Sequence, residues 1–196
     1  MSDSTAPPLE PGSIAPGFVA AMPQLADPNF QRAVVLLLAS DERGAFGIVI
    51  NRPSALTVAE LCEGQEVDYR GPEELPLMIG GPVEAETHLL VMHGDAPVFG
   101  EDHENELAVA PGVFLVTARE GLERLAARGT PRMRCFAGYS GWGPGQLEGE
   151  LAAGAWVPLE IDPVLLFSEQ PGEVWERALR QGGIDPIALV PGGPAN

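Results

Sequence analysis

Two unbroken apolar runs joined by a turn constrain this chain more than any other feature. Ala33-Val34-Val35-Leu36-Leu37-Leu38 and Ala45-Phe46-Gly47-Ile48-Val49-Ile50 are short and rich in β-branched and leucine residues. A half-buried strand alternates apolar with polar positions. A run with no polar position reads as a strand covered on both faces. Asp41-Glu42-Arg43-Gly44 between them is turn-forming, so the pair reads as a buried hairpin.

Further strands are expected at 18–22, 77–79, 88–92, 113–116 and 132–137. Thr57-Val58-Ala59-Glu60 and Thr117-Ala118-Arg119-Glu120 are capping boxes, in which hydroxyl and carboxylate each satisfy a free amide at a helix start. The first opens a short helix ending near Gly64, ahead of a polar loop at 65–76. The second opens a helix running to Arg128, with Gly129 as its stop. Asp162-Pro163 opens a helical turn, and the last helix spans 174–181 with Trp175 and Leu179 on its inward face. Hairpins mixed with crossovers indicate an α+β domain with a mixed sheet. A single domain is expected over 14–190. The polar, proline-rich 1–13 segment reads as a disordered tail and 191–196 as a flexible C-terminus.

Charge excludes several functions. The net charge is −17, and all eleven basic residues are arginine. Without lysine there is no P-loop, no Schiff-base chemistry and no protein-kinase strand lysine. Without a basic face, non-specific nucleic-acid binding is disfavoured, and an acidic chain repels anionic lipids. No apolar run approaches the roughly 20 residues of a membrane span, and the first residues lack the pattern of a secretory signal. Cys62 and Cys135 form no CxxC motif and read as reduced, buried thiols of a cytoplasmic protein.

The densest cluster of special residues is Gly138-Tyr139-Ser140-Gly141-Trp142-Gly143-Pro144-Gly145-Gln146-Leu147-Glu148-Gly149-Glu150-Leu151, followed by Ala155-Trp156. It reads as one strand-to-helix turn, with Pro144 in the first turn of the helix and Gly154 at its end. Together with three other blocks it resembles the YqgE/AlgH family. Those blocks are Ala21-Met22-Pro23 with Asp27-Pro28-Asn29-Phe30 and Arg32; Gly44-Ala45-Phe46-Gly47 with Asn51-Arg52-Pro53; and Gly80-Gly81-Pro82-Val83 with His93. Leu166-Phe167 and Trp175 extend the resemblance, which runs from Gly17 to Asp185. It implies a bifurcated β-sheet curled into a pseudo-barrel with flanking helices. It implies no established activity, although members carry the label of transcriptional regulators. Many relatives have a Glu-His pair at the end of the strand before the glycine hairpin. Here those positions are Ala39-Ser40, which removes any proton transfer assigned to that pair.

Ten residues are candidates for a ligand site. Gly138 permits close backbone approach, and helix-start amides nearby suit an anion. Gln146 and Glu150 share a helical face. Tyr139 and Trp142 would supply a flat apolar wall. Arg52, beside Asn51 at a strand end, suits a carboxylate or phosphate, or else an internal ion pair. Gly80 and Gly81 would form a facing loop, though they lack the Gly-x-Gly-x-x-Gly of a nucleotide site. The competing reading for this cluster is a structural turn tied by its own hydrogen bonds.

His93, the tenth of these ligand-site candidates, ends an apolar strand and is also the candidate base of an alternative enzyme, a hydrolase or transferase. Ser140 fails the nucleophile-elbow pattern, because Trp142 stands where glycine is required; relatives also commonly carry alanine at the Ser140 position. His103, within an acidic stretch, lacks the spacing and loop glycine of an EF-hand. No catalytic residue, metal cluster or cofactor is therefore assigned. The expected partner is a protein or a small anionic ligand, with neither direct nucleic-acid nor membrane binding.

Overall fold

Alternation of the two apolar runs between opposite faces of one sheet organises the molecule. The computed structural model describes residues 14–94, 96–100, 103–117 and 119–189. The tail expected at 1–13 and the C-terminus expected at 191–196 lie outside the described residues. Strand β2 (Val34–Asp41) and strand β3 (Gly44–Val49) form the expected antiparallel hairpin, with a bulge between Leu37 and Ala39. Val34 and Leu36 point into one apolar cluster, Val35 and Leu37 into another. Both faces are covered, which is why neither run has a polar position.

The first sheet is antiparallel, in the order β10-β3-β2-β1-β11. Its other strands are β1 (Gly17–Ala21), β10 (Ser140–Trp142) and β11 (Trp156–Leu159). The second sheet runs β4 (Pro53–Thr57), β5 (Pro76–Ile79), β9 (Met133–Ala137), β6 (Leu89–His93), β8 (Val113–Val116) and β7 (Glu106–Ala110). It is mixed, because β5 and β9 pair in parallel while its other pairs are antiparallel. Neither sheet closes into a barrel, so the implied curl stops short of closure and each sheet keeps two edges.

Between the sheets lies a core that includes Phe18, Leu36, Ile48, Leu90 and Phe136. It is completed by α4 (Pro163–Leu166) and α5 (Val174–Gln181), where Trp175 and Leu179 point inward as expected. The outer face of the second sheet buries Val91, Met133 and Cys135 against α1 (Val58–Gly64) and α2 (Arg119–Arg128). The outer face of the first sheet buries Val19, Val35 and Trp156 with Leu147 of α3 (Gln146–Ala152). Each such side chain contributes about 1.5–3 kcal/mol of transfer free energy.

Local signals operate where expected. Glu60 N donates to Thr57 Oγ1 at 3.1 Å, and Thr57 N donates to Glu60 Oε2 at 2.8 Å. This box is worth about 1 kcal/mol. The second expected box spans Ala118, outside the described residues. Asp162 caps α4 by accepting from Val164 N at 2.8 Å.

Four elements depart from the sequence expectation. Residues 53–57, 106–110 and 156–159 form strands that the sequence reading does not include. The 138–151 stretch is two turns around the three-residue strand β10, which pairs with β3. Helix α3 begins at Gln146 behind a left-handed Gly145 (φ 71°), so Pro144 precedes the helix. The physical reason is that β10 finds its partner across the sheet, a contact invisible to local pattern.

Candidate functional site

The glycines of the candidate region bring two stretches of chain against each other. Gly138, at φ 71°, turns the chain from β9 towards β10. A methyl group on Gly80 would sit 2.3 Å from Gly138 O, and one on Gly81 would sit 2.2 Å from Tyr139 O. Side chains cannot approach so closely, so only glycine permits this contact. Val83 N donates to Tyr139 O and Tyr139 N donates to Val83 O, each at 3.0 Å. Gly80 O accepts from Val49 N at 2.7 Å and from the buried Ser140 hydroxyl at 3.2 Å. The close approach is backbone on backbone.

The polar pair on α3 is engaged in the same way. Glu150 Oε2 accepts both indole N–H groups, from Trp142 at 3.0 Å and from Trp156 at 2.7 Å. Its Oε1 accepts from Gln146 Nε2 at 2.9 Å, while Gln146 Oε1 accepts from Gly143 N at 3.1 Å. Phe30 stacks on Trp142 and meets Trp156 edge-on. Two rings bonded to one carboxylate fasten α3, β10 and β11 together. Trp142 and Tyr139 do not form one wall. Trp142 is buried beneath the outer face of the first sheet, whereas Tyr139 turns to the inter-sheet side, with its ring centroid 4.8 Å from Phe46 and 5.2 Å from His88. With only seven residues, α3 is too short to form an anion site from its amides alone.

Asn51 and Arg52 join this region through Ile79 N, which donates to Arg52 O at 2.7 Å. Asn51 clasps the start of β2: its Oδ1 accepts from Val34 N, and its Nδ2 donates to Arg32 O, both at 2.9 Å. The half-buried Arg52 donates to Pro28 O at 3.1 Å and to Gln31 O at 3.0 Å. It makes no ion pair among the described residues. It pins the loop before β2 through carbonyl dipoles, in place of the internal ion pair that was one of the two roles expected for it.

His93 stands apart. It faces Met133, four register positions along β6 from the Leu89–Ala137 pair beside the glycine turn, or about 13 Å. Its side chain is 0% exposed and its partner Glu106 2%, with Nε2 2.9 Å from Glu106 Oε1. The same carboxylate accepts from Val98 N at 2.8 Å and from Phe99 N at 3.0 Å. The pair therefore anchors the segment after β6. In this arrangement the His93 ring offers no exposed surface to a substrate. Glu106 escaped sequence reading because strand β7 did.

Other reactive groups are also internal. Cys62 and Cys135 lie in one apolar cluster, and burial pushes both thiols above the ordinary cysteine range. A protonated thiol is a poor nucleophile. Arg134 is buried, donates to Phe167 O at 2.8 Å and to Ser168 O at 3.1 Å, and is held below the usual arginine range by burial. No group of three or more metal-ligating side chains occurs among the described residues. Among them, too, no helix is long and apolar enough to cross a membrane.

Two openings lie elsewhere, and none of the ten candidates lines either. A cavity of about 240 Å³ is bordered by Gln65, His88, Thr117 and Arg119. Arg119 is already bonded there to Gln65 O and Glu123. A larger groove of about 400 Å³ runs beside Pro158, Leu159, Glu160 and Ile161, facing Ala178 and Gln181. The usable sequence signal was Pro158, since a proline within an aromatic and β-branched run marks an edge strand.

The AlgH-like family model matches residues 18–187. A UPF0301 protein of Myxococcus xanthus is 41% identical over 181 residues, covering 92% of this chain and 97% of its own. The solution structure of the AlgH protein from Pseudomonas aeruginosa is 32% identical, with a TM-score of 0.73 over 96% of this chain and 99% of that one. A crystal structure from Corynebacterium diphtheriae is 25% identical, with a TM-score of 0.71 over 88% and 90% of the two chains. None of these names states an activity. The resemblance seen in the four sequence blocks thus extends through the whole fold, and the chain belongs to the AlgH-like family.

Proposed function

We propose that this protein is a non-catalytic, cytoplasmic binding domain that docks a protein partner along the groove at residues 158–162. Any regulatory effect would pass through that partner, without direct contact with DNA or membrane. One observation carries the reading: each candidate reactive side chain is engaged inside the fold. His93 is closed against Glu106, Ser140 donates to Gly80 O, and both thiols are buried. A protein partner is favoured over the small anionic ligand because the Arg52 guanidinium already serves the Pro28 and Gln31 carbonyls, and none of the ten candidate residues lines either opening. The net charge of −17 opposes contact with phosphate backbones.

A broad screen for ester, amide and phosphoester hydrolysis and for acyl transfer tests the reading. Wild-type protein and His93→Ala should both run at the buffer rate. Turnover that depends on His93 would contradict it, as would salt-sensitive retention of duplex DNA by the purified domain.

A further inference from the structure

The outer edge of β11 carries backbone groups that the fold does not use. Ala155 O accepts from Met22 N at 2.9 Å, and the register pairs Ala20 with Val157 and Phe18 with Leu159. Residues 155, 157 and 159 therefore bond inward to β1, while 156, 158 and 160 face outward. Pro158 has no N–H to lose there, so a proline is tolerated at the position. Beyond it the chain stays extended: Asp162 has φ −107° and ψ 111°. The amide and carbonyl of Glu160 bond no other group among the described residues. Such an edge is a template for another strand.

The groove beside this edge has a distinct chemistry. Leu159, Ile161 and Leu165 give it an apolar floor. Glu160 and Asp162 are its charged side chains, and no basic residue lines it. Asp162 is engaged by Val164 N and Gln181, whereas the exposed Glu160 carboxylate has no partner among the described residues. Val164, 63% exposed, extends the apolar surface immediately after it. A second copy of the chain is a poor occupant. Two acidic edges would meet, and each would offer a proline where a donor is needed.

Building on the partner-binding reading, we propose that the β11 edge captures an extended peptide of alternating apolar and basic residues, which adds to the first sheet as a sixth strand. Main-chain bonds to Pro158 O and to both backbone groups of Glu160 hold it. Its apolar side chains enter the groove, and its basic ones meet the Glu160 carboxylate.

Titration calorimetry with synthetic ten-residue peptides tests this. The probes are an alternating Val/Arg peptide, an alternating Val/Glu peptide, and the Val/Arg peptide with every second amide N-methylated, in both phases. The basic peptide should bind at least about tenfold tighter than the acidic one. One N-methyl phase should abolish binding, and Glu160→Arg, checked as folded by its thermal melt, should weaken it by about tenfold or more. Equal binding of basic and acidic peptides overturns the proposal. If both N-methyl phases bind like the parent, the strand-addition mode falls while partner binding stands. A dimer seen by light scattering, with its contact at Glu160, assigns the edge to a second copy and overturns the peptide. No peptide binding, together with turnover in the hydrolase and transferase screen, removes the partner-binding reading as well.

Discussion

The glycine-rich region at 138–151 and the plain segment at 156–162 invite opposite expectations, and their structures reverse them. The first holds Gly, Tyr, Trp, Gln and Glu, the residue types from which binding sites are built. Its polar groups are tied to one another: Glu150 takes two indoles, the exposed Gln146 takes Gly143 N, and Gly80, Gly81 and Gly138 let backbone meet backbone. The second segment offers little to the eye. Yet it leaves the Glu160 backbone and carboxylate without partners among the described residues, beside a groove of about 400 Å³. A concentration of special residues marks a demanding stretch of geometry, and availability for binding depends on what the fold leaves unpaired.

The sharpest way to break this comparison is to remove inward polar groups and ask whether stability moves. The largest effect belongs to Glu106→Ala. It removes the carboxylate that bonds a fully buried His93 and two amides. A loss of about 3–5 kcal/mol is expected in urea unfolding. Glu150→Ala should follow at about 2–4 kcal/mol, because two indole donors and the Gln146 amide lose one carboxylate. Trp fluorescence should report the change, since Trp142 and Trp156 are both released. Arg52→Ala comes next, at about 1–2 kcal/mol, through the loosened 28–31 loop. If Arg52→Ala kept full stability, the guanidinium would regain its claim as a ligand group. Smallest of all, Glu160→Arg should change stability by no more than about 0.5 kcal/mol. A large loss there would mean that the edge is structural too.

A pH titration sharpens the same contrast. Burial pushes the Tyr69 phenol from 10.0 up to about 12. Its hydroxyl donates to Pro72 O at 3.0 Å. A pKa raised in the folded state gives stability that is complete below pH 10.0 and is lost as pH climbs towards about 12. Stability of the wild type should therefore decline across that window, and Tyr69→Phe should decline less steeply. An unchanged slope would place the phenol in solvent.

Much of the scaffold could be read locally. The β2–β3 hairpin announced itself by unbroken apolar runs, the Thr57–Glu60 box by its spacing, and α5 by the inward pair Trp175 and Leu179. Each depends on residues near in sequence. Strands β4, β7, β10 and β11 depend on distant partners and carry Pro, Glu, Gly or Ser where a strand pattern would be apolar. The surroundings of the candidate residues were hidden for the same reason. Whether Arg52 or Glu150 is free is decided by Pro28, Gln31, Trp142 and Trp156, and local sequence does not say what those groups face. The fate of His93 was hidden because its partner Glu106 sits on an unrecognised strand.

Amide hydrogen exchange resolved by NMR tests the central contrast most directly. The amides of Val83, Tyr139, Val98 and Phe99 should be strongly protected, because each bonds inside the fold. The Glu160 amide should exchange near the unprotected rate. Rapid exchange at Tyr139 and Val83, with protection at Glu160, would contradict the account: the glycine-rich turn would then be the open surface and the β11 edge the closed one.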